Sequence, residues 1–302
     1  MTRNVIKKDI KRRREERQKA AAVALRERLA PEQQRAMDVA QAKGGSCLVT
    51  VLPLEKYGFA FRSKRDFDDL IRQRYRKPIR RLPTTCPCGA PFSLDHSQIC
   101  KLGGFVGMRH DEGKKIWAVA NSKVFRDVEV EPQLEQLDDE TLDYKTANRD
   151  QEARSDVRVR GFYGNQQNAF FDHKVFYPFA SSYSKKSLAS CFQNIEKKCR
   201  REYEQRINRV DNGSLTPMVM SSTGSMGPRM QIAVKHLAGL ISEKRNEPYA
   251  KVMTLLRCQF AFAAMRSSLV CLRGSRSNLS FNDVKGMMDT TAELAVSELR
   301  QL

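Results

Sequence analysis

Residues 168–178 read NAFFDHKVFYP. The run is apolar and aromatic except for a charged centre, and that content predicts a strand seated in the core. Side chains two apart on a strand point the same way, so Asp172 and Lys174 share one face while His173 and Val175 take the other. A carboxylate and an ammonium placed so are either a strand-edge ion pair, worth little to stability when exposed, or the mount of a reactive site. The segments on either side decide the fold.

Upstream, RSDVRVRGF (154–162) reads as a strand with Val157 and Val159 toward the core and Asp156 opposite them. DVEVEP (127–132) reads as another, with Val128 and Val130 inward and Glu129 and Glu131 on the other side. RHDEGKKIWAVANSKVF (109–125) has helical periodicity. Downstream, KKSLASCFQNIEKKCRREYEQRINRV (185–210) predicts a long helix, Asn212-Gly213 a turn, and SLTPMVMSS (214–222) a strand despite Pro217. The order is αβββαβ, an α/β fold. Beyond Gly227-Pro228, two further helical stretches rich in apolar residues are expected to pack across the sheet.

Two neighbouring strands can bring Asp156, Asp172 and Lys174 together. Hydrolysis of a phosphodiester needs such a set: carboxylates as hard ligands for Mg2+ (or Mn2+), and a lysine to orient water, stabilise charge or act as base. Glu131, closing its strand, is the preferred third carboxylate. Glu196, Arg200 and Tyr203 lie at spacings of four and three on the long helix, one stripe that either faces the same cleft or forms an ordinary salt-bridged surface.

The rest of the chain fits a polyanion partner. Across 302 residues, 54 Lys and Arg oppose 35 Asp and Glu, leaving +19, which favours nucleic acid. No stretch of about 18 consecutive apolar residues and no signal-peptide core argue for a membrane, and eight cysteines, mostly scattered, suit reduced thiols in nucleus or cytosol. Residues 1–44 read as a basic arm of two exposed helices, the second starting at Pro31. Residues 45–84 read as a linker with an amphipathic helix. In 85–104, CPCGAPFSLDHSQIC places Cys86, Cys88, His96 and Cys100 as C-x-C-x7-H-x3-C, a donor set for structural Zn2+ with all four positions filled by protein. The αβββαβ core then spans 105–226, and 227–302 supply C-terminal helices packing on it.

At this point the chain resembles nucleases of the PD-(D/E)xK type, whose core is αβββαβ. Asp156 matches the first acid and Asp172-His173-Lys174 the D-x-K. More narrowly, CPCGAPFSLDHSQICKLGGFVGMRH, ARSDVRVRGF and FFDHKVFYP resemble the restriction-like endonuclease at the C-terminal end of LINE-type (non-LTR) retrotransposon polyproteins. There a Cys-Cys-His-Cys knuckle, an Arg-His pair (here Arg109-His110) and the nuclease acids follow in this order. The resemblance covers roughly 84–225, with LPLEKYGFAF (52–61) similar to the preceding linker. It departs at Ser155, where the family has Pro, and no reverse-transcriptase signature is present, since DFDD (66–69) lacks apolar strand flanks.

The resemblance implies a Mg2+-dependent DNA endonuclease of a mobile element, acting in the nucleus. Lys101, Arg109, His110, Arg154 and the arm would hold phosphates. DNA is the expected partner, with element RNA and a reverse transcriptase or element polyprotein beside it. The alternative is a zinc-containing nucleic-acid-binding remnant without turnover.

Overall fold

The computed structural model describes residues 3–135 and 153–276. NAFFDHKVFYP forms the centre of a sheet. β3 (Asn168–Phe176) pairs antiparallel with β2 (Val157–Arg160) and parallel with β4 (Ser214–Ser221), and β1 (Val128–Val130) pairs antiparallel with β2. The strand order is β1-β2-β3-β4. Pro217 sits in β4, an edge strand, where a missing N–H need not break the ladder.

Helices cover both faces. On one, α6 (Phe105–Ser122), α8 (Pro228–Arg245) and α9 (Tyr249–Arg273) pack against Val157, Val159, Ala169, Phe171, Met218 and Met220. Trp117 of α6, wholly buried, sets its ring edge-on to Phe171 at 5.0 Å between centroids. On the other face lies α7 (Leu188–Arg209), whose Ile207 meets Phe170 and whose Leu188 and Phe192 meet Phe176. Burial of both faces explains why no position of β3 is exposed, rather than every second one. The helix-strand-strand-strand-helix-strand order expected from the sequence is the order observed.

At β1 the expected alternation fails. Val128 packs on the core, but Val130 is 45% exposed, because this short edge strand is covered by the core only at its start.

α1 (Arg3–Glu27) is exposed almost throughout, whereas α2 (Pro31–Gln41) buries Ala36 and Val39, so only the first of the two arm helices is wholly outside the core. The segment read as a linker is packed. α3 (Cys47–Thr50) and α4 (Lys64–Arg74) place Cys47, Leu48 and Leu70, together with Phe59, against Phe262 and Met265 of α9. The turn before α3 fits only glycine: at Gly44, φ +94°, an added Cβ would lie 2.2 Å from the Gly224 carbonyl oxygen. α9 is long and apolar enough by composition to cross a membrane, with 78% of that stretch buried inside the protein. Residues 277–302, the end of the expected C-terminal region, lie outside the described residues.

Candidate functional site

Asp156 immediately precedes β2, and the β2–β3 register places it beside Asp172. The backbone N–H of His173 donates to Asp156 Oδ2 at 2.6 Å. Lys174 Nζ donates to Asp172 Oδ1 at 3.1 Å, so the pair shares the α7 face of β3 as alternation requires. Ser155 is buried and donates its hydroxyl to the Phe171 carbonyl at 3.2 Å, tying the strand start to β3.

Each carboxylate is held by its own cation. From α6, His110 Nε2 donates to Asp156 Oδ2 at 3.2 Å and Nδ1 to Asp111 Oδ1 at 3.3 Å. Burial disfavours the imidazolium, but its two carboxylate bonds outweigh this and raise the His110 pKa to about 9. For Asp156 burial pushes upward, yet the bond and charge of His110 prevail and hold it at about 2. Asp172, 4% exposed, is shifted upward by burial against the pull of Lys174. Its second oxygen accepts the thiol of Cys199 on α7 at 3.1 Å. Burial opposes charge on Lys174 as well, but Asp172 raises its pKa. A lysine so held remains an ammonium. His173 points to the opposite face. Burial drives its imidazole down to about 3, so it is neutral.

Glu131 does not join the two aspartates. Its backbone takes a left-handed turn, φ 55°, and its carboxylate pairs with Lys114 of α6. Lys114 also holds Asp111 at 3.0 Å. Arg109 is the other correction. It is 4% exposed and donates to the Gln98 carbonyl at 3.2 Å, so it braces the interior rather than meeting phosphate at the surface. Lys101 and Arg154 are exposed as a phosphate contact requires.

The stripe on α7 divides. Tyr203 lies under Lys174, whose Nζ stands 5.9 Å from the ring centroid. Glu196 turns away and accepts the Arg229 backbone N–H at 3.0 Å, capping the start of α8. Arg200 pairs with Glu204 one turn along, at 2.9 Å. The inward residue between Glu196 and Tyr203 is Cys199, which sequence reading passed over.

Cys86, Cys88, His96 and Cys100 gather with their ligand atoms within 4.8 Å of one another. A turn with Gly89 at φ +88° brings Cys86 and Cys88 together, and α5 (Leu94–Ile99) supplies His96. The Ser93 hydroxyl caps α5 by accepting the His96 backbone N–H at 3.0 Å. Two thiolates on a tetrahedral zinc at about 2.3 Å would stand about 3.8 Å apart, and Cys86 Sγ and Cys100 Sγ are 3.8 Å apart. Cys88 Sγ and His96 Nε2 are 3.4 Å apart. Among the described residues, Asp156, Asp172 and Glu131 form no second group of this kind.

Fold and site thus define a mixed α/β protein carrying a Cys/His cluster able to hold a metal ion such as zinc. No family model matches the chain, and no curated protein matches it.

Proposed function

We propose that the chain is a metal-dependent DNA endonuclease of the PD-(D/E)xK type, cutting target DNA for a retrotransposon-like element in the nucleus, with Zn2+ in the Cys/His knuckle as a structural ion. The observation that carries this reading is the His173 N–H bond to Asp156, which sets the first acid against the middle of the Asp172-His173-Lys174 triplet. Asp156 and Asp172 would hold Mg2+ or Mn2+ and the ion would polarise the phosphate and its attacking water. Lys174 stays charged and would stabilise the pentacovalent phosphorus. His110 moves from the phosphate contacts into the acid site, as the partner that keeps Asp156 ionised. Element RNA and a reverse transcriptase or element polyprotein are the accompanying partners.

A second reading has its own support. Asp156, Asp172 and Glu131 are each paired with a cation, an arrangement also suited to a zinc-containing nucleic-acid-binding remnant without turnover. One experiment separates the two: cleavage of supercoiled plasmid with and without Mg2+ or Mn2+, beside Asp172→Ala. Metal-dependent cleavage by the wild type, lost in the variant while DNA binding persists, supports the nuclease. Binding without cleavage in either protein supports the remnant, and equal cleavage by both refutes the assigned acid.

A further inference from the structure

Between α4 and the Cys/His cluster the chain reads RKPIRRLP (76–83), and residues 77–81 of it are fixed from the interior by arginines of two helices. Arg72 of α4, bound to Asp68 at 2.7 Å, donates to the Pro78 carbonyl at 3.0 Å. Arg273 of α9 grips the buried Asp69 through Nε at 2.7 Å and Nη2 at 2.8 Å, and donates also to the Arg80 carbonyl at 2.8 Å and the Arg81 carbonyl at 2.9 Å. The Lys77 N–H closes on the Arg72 carbonyl at 2.8 Å. On backbone so held, the side chains of Lys77, Arg80 and Arg81 are exposed, and among the described residues none of the three has an ion pair or hydrogen bond. Arg80 lies close enough to Asp68 to favour its charge, but that carboxylate is already bound to Arg72.

A turn that only connects two elements calls for neither feature of this loop. Arg81 takes left-handed backbone, φ 53°, a conformation that glycine adopts without strain and that no contact of the Arg81 side chain offsets. Three neighbouring like charges also repel one another in the free protein. Strain of this kind concentrates where a partner binds, and a polyanion would relieve the repulsion. A lipid surface fits less well. The aliphatic residues of the stretch, Ile79 and Leu82, are half-buried, and none is exposed to enter a bilayer. At no more than about 3.6 Å per residue, the three charges spring from backbone within about 14 Å. Over such a span a DNA duplex carries twice the charge of a single strand, one phosphate per about 1.7 Å of axis against about 3.4 Å. A cation cluster on fixed backbone gains most from the denser array.

We infer that residues 77–81 form a docking surface for the phosphates of duplex DNA. Of the proposed function, this surface rests on the DNA partner alone and needs no cleavage. The test follows the anisotropy of a short labelled duplex with the full chain, without added Mg2+, across a salt series. The loop variant Lys77→Ala, Arg80→Ala, Arg81→Gly is set beside the wild type and a control, Lys185→Ala, Lys186→Ala, Lys235→Ala, which removes the same charge at exposed positions elsewhere. At about 0.9 per phosphate contact, the slope of log K against log salt should become shallower by about 2–3 in the loop variant and change little in the control. The loop variant should melt no lower than the wild type, because glycine suits the backbone at 81. Should it fail to fold, Arg80→Ala alone carries the test, with a slope change of about 1. Equal losses in loop variant and control would overturn the surface in favour of bulk charge. Tighter binding of single-stranded DNA or of phosphatidylglycerol vesicles through the same residues would overturn the duplex. A wild type that binds through the loop but never cuts plasmid would refute the nuclease reading and support the surface, whereas Mg2+-dependent cutting with an unchanged slope in the loop variant would do the reverse.

Discussion

At the residue scale, the energetics of Asp172 depend on its two neighbours. A carboxylate buried to this degree is costly unless paired, and Lys174 and Cys199 each take one oxygen. Lys174→Met would leave that carboxylate with the thiol alone. The expected loss is about 2 kcal/mol, less than for a wholly buried pair because the lysine keeps contact with water. Adding Asp172→Asn should restore part of it, read as midpoints of urea denaturation; a Lys174→Met protein as stable as the wild type would show the pair to be energetically idle. The His110 and Asp156 pair gives a pH signature. A histidine raised from 6.5 to about 9 on folding stabilises fully below its unfolded value and loses that contribution as pH rises toward 9. Thermal melts without added Mg2+ should therefore fall across that window in the wild type and stay flatter in His110→Gln, and parallel profiles would remove His110 from the pair. Alternation along β3 made Asp172 and Lys174 legible, since period-two geometry is local. Cys199 was not legible, because the helical register admits Cys199 or Arg200 between Glu196 and Tyr203, and only packing against β3 selects the thiol. Arg109 misled for the opposite reason: its charge suggested phosphate, while its partner Gln98 belongs to a helix whose docking on α9 joins residues 170 positions apart.

At the element scale, one clasp ties four segments. Arg76, at the end of α4 with φ 52°, pairs with Glu32 of α2, donates to Asp95 of α5 at 2.9 Å and to the Tyr177 hydroxyl at 2.8 Å, and lies 4.5 Å from the centroid of the Phe179 ring. The Tyr177 hydroxyl in turn donates to Asp95. Left-handed backbone at a non-glycine residue costs about 1–3 kcal/mol and persists only where its surroundings hold it. Tyr177→Phe should cost about 1–2 kcal/mol by removing the hydroxyl that bonds both Asp95 and Arg76. In a double-mutant cycle with Asp95→Asn the losses should be less than additive, and strict additivity would mean that the two do not act together. No sequence period signals this clasp, because its members come from four elements and meet only after all have docked. α1 is the reverse case: composition marked it as an exposed basic helix, and it is one. Deleting residues 1–25 should leave the thermal midpoint within about 2 °C, as no core surface is lost. If the arm holds phosphates, the same deletion should make the salt dependence of DNA binding shallower; an unchanged slope would return the arm to the role of a solvated tail.

At the scale of the whole molecule, the Cys/His knuckle is wired into the interior. α5 carries His96, and from it Gln98 Nε2 donates to the Ser268 carbonyl of α9 at 3.0 Å. The Gln98 carbonyl receives Arg109 of α6, and the Ser97 carbonyl receives Arg276 at 3.0 Å. Two buried guanidinium groups therefore take carbonyl partners from a helix too short to persist unaided. If a metal ion holds the cluster together, its removal should reach beyond residues 85–104, leaving Arg109 and Arg276 buried without those bonds. A tight chelator is expected to lower the thermal midpoint by more than about 5 °C. Cys88→Ser, with one ligand removed at an exposed position, should match the chelated wild type and respond little to chelator itself. Zinc measured in the purified protein at one equivalent, lost together with stability, would fix the ion as structural. Protein that contains no metal and melts at the same temperature with and without chelator would reduce the cluster to four unligated side chains, and the docking of α5 would then rest on its bonds to Arg76, Arg109, Tyr177, Arg276 and α9.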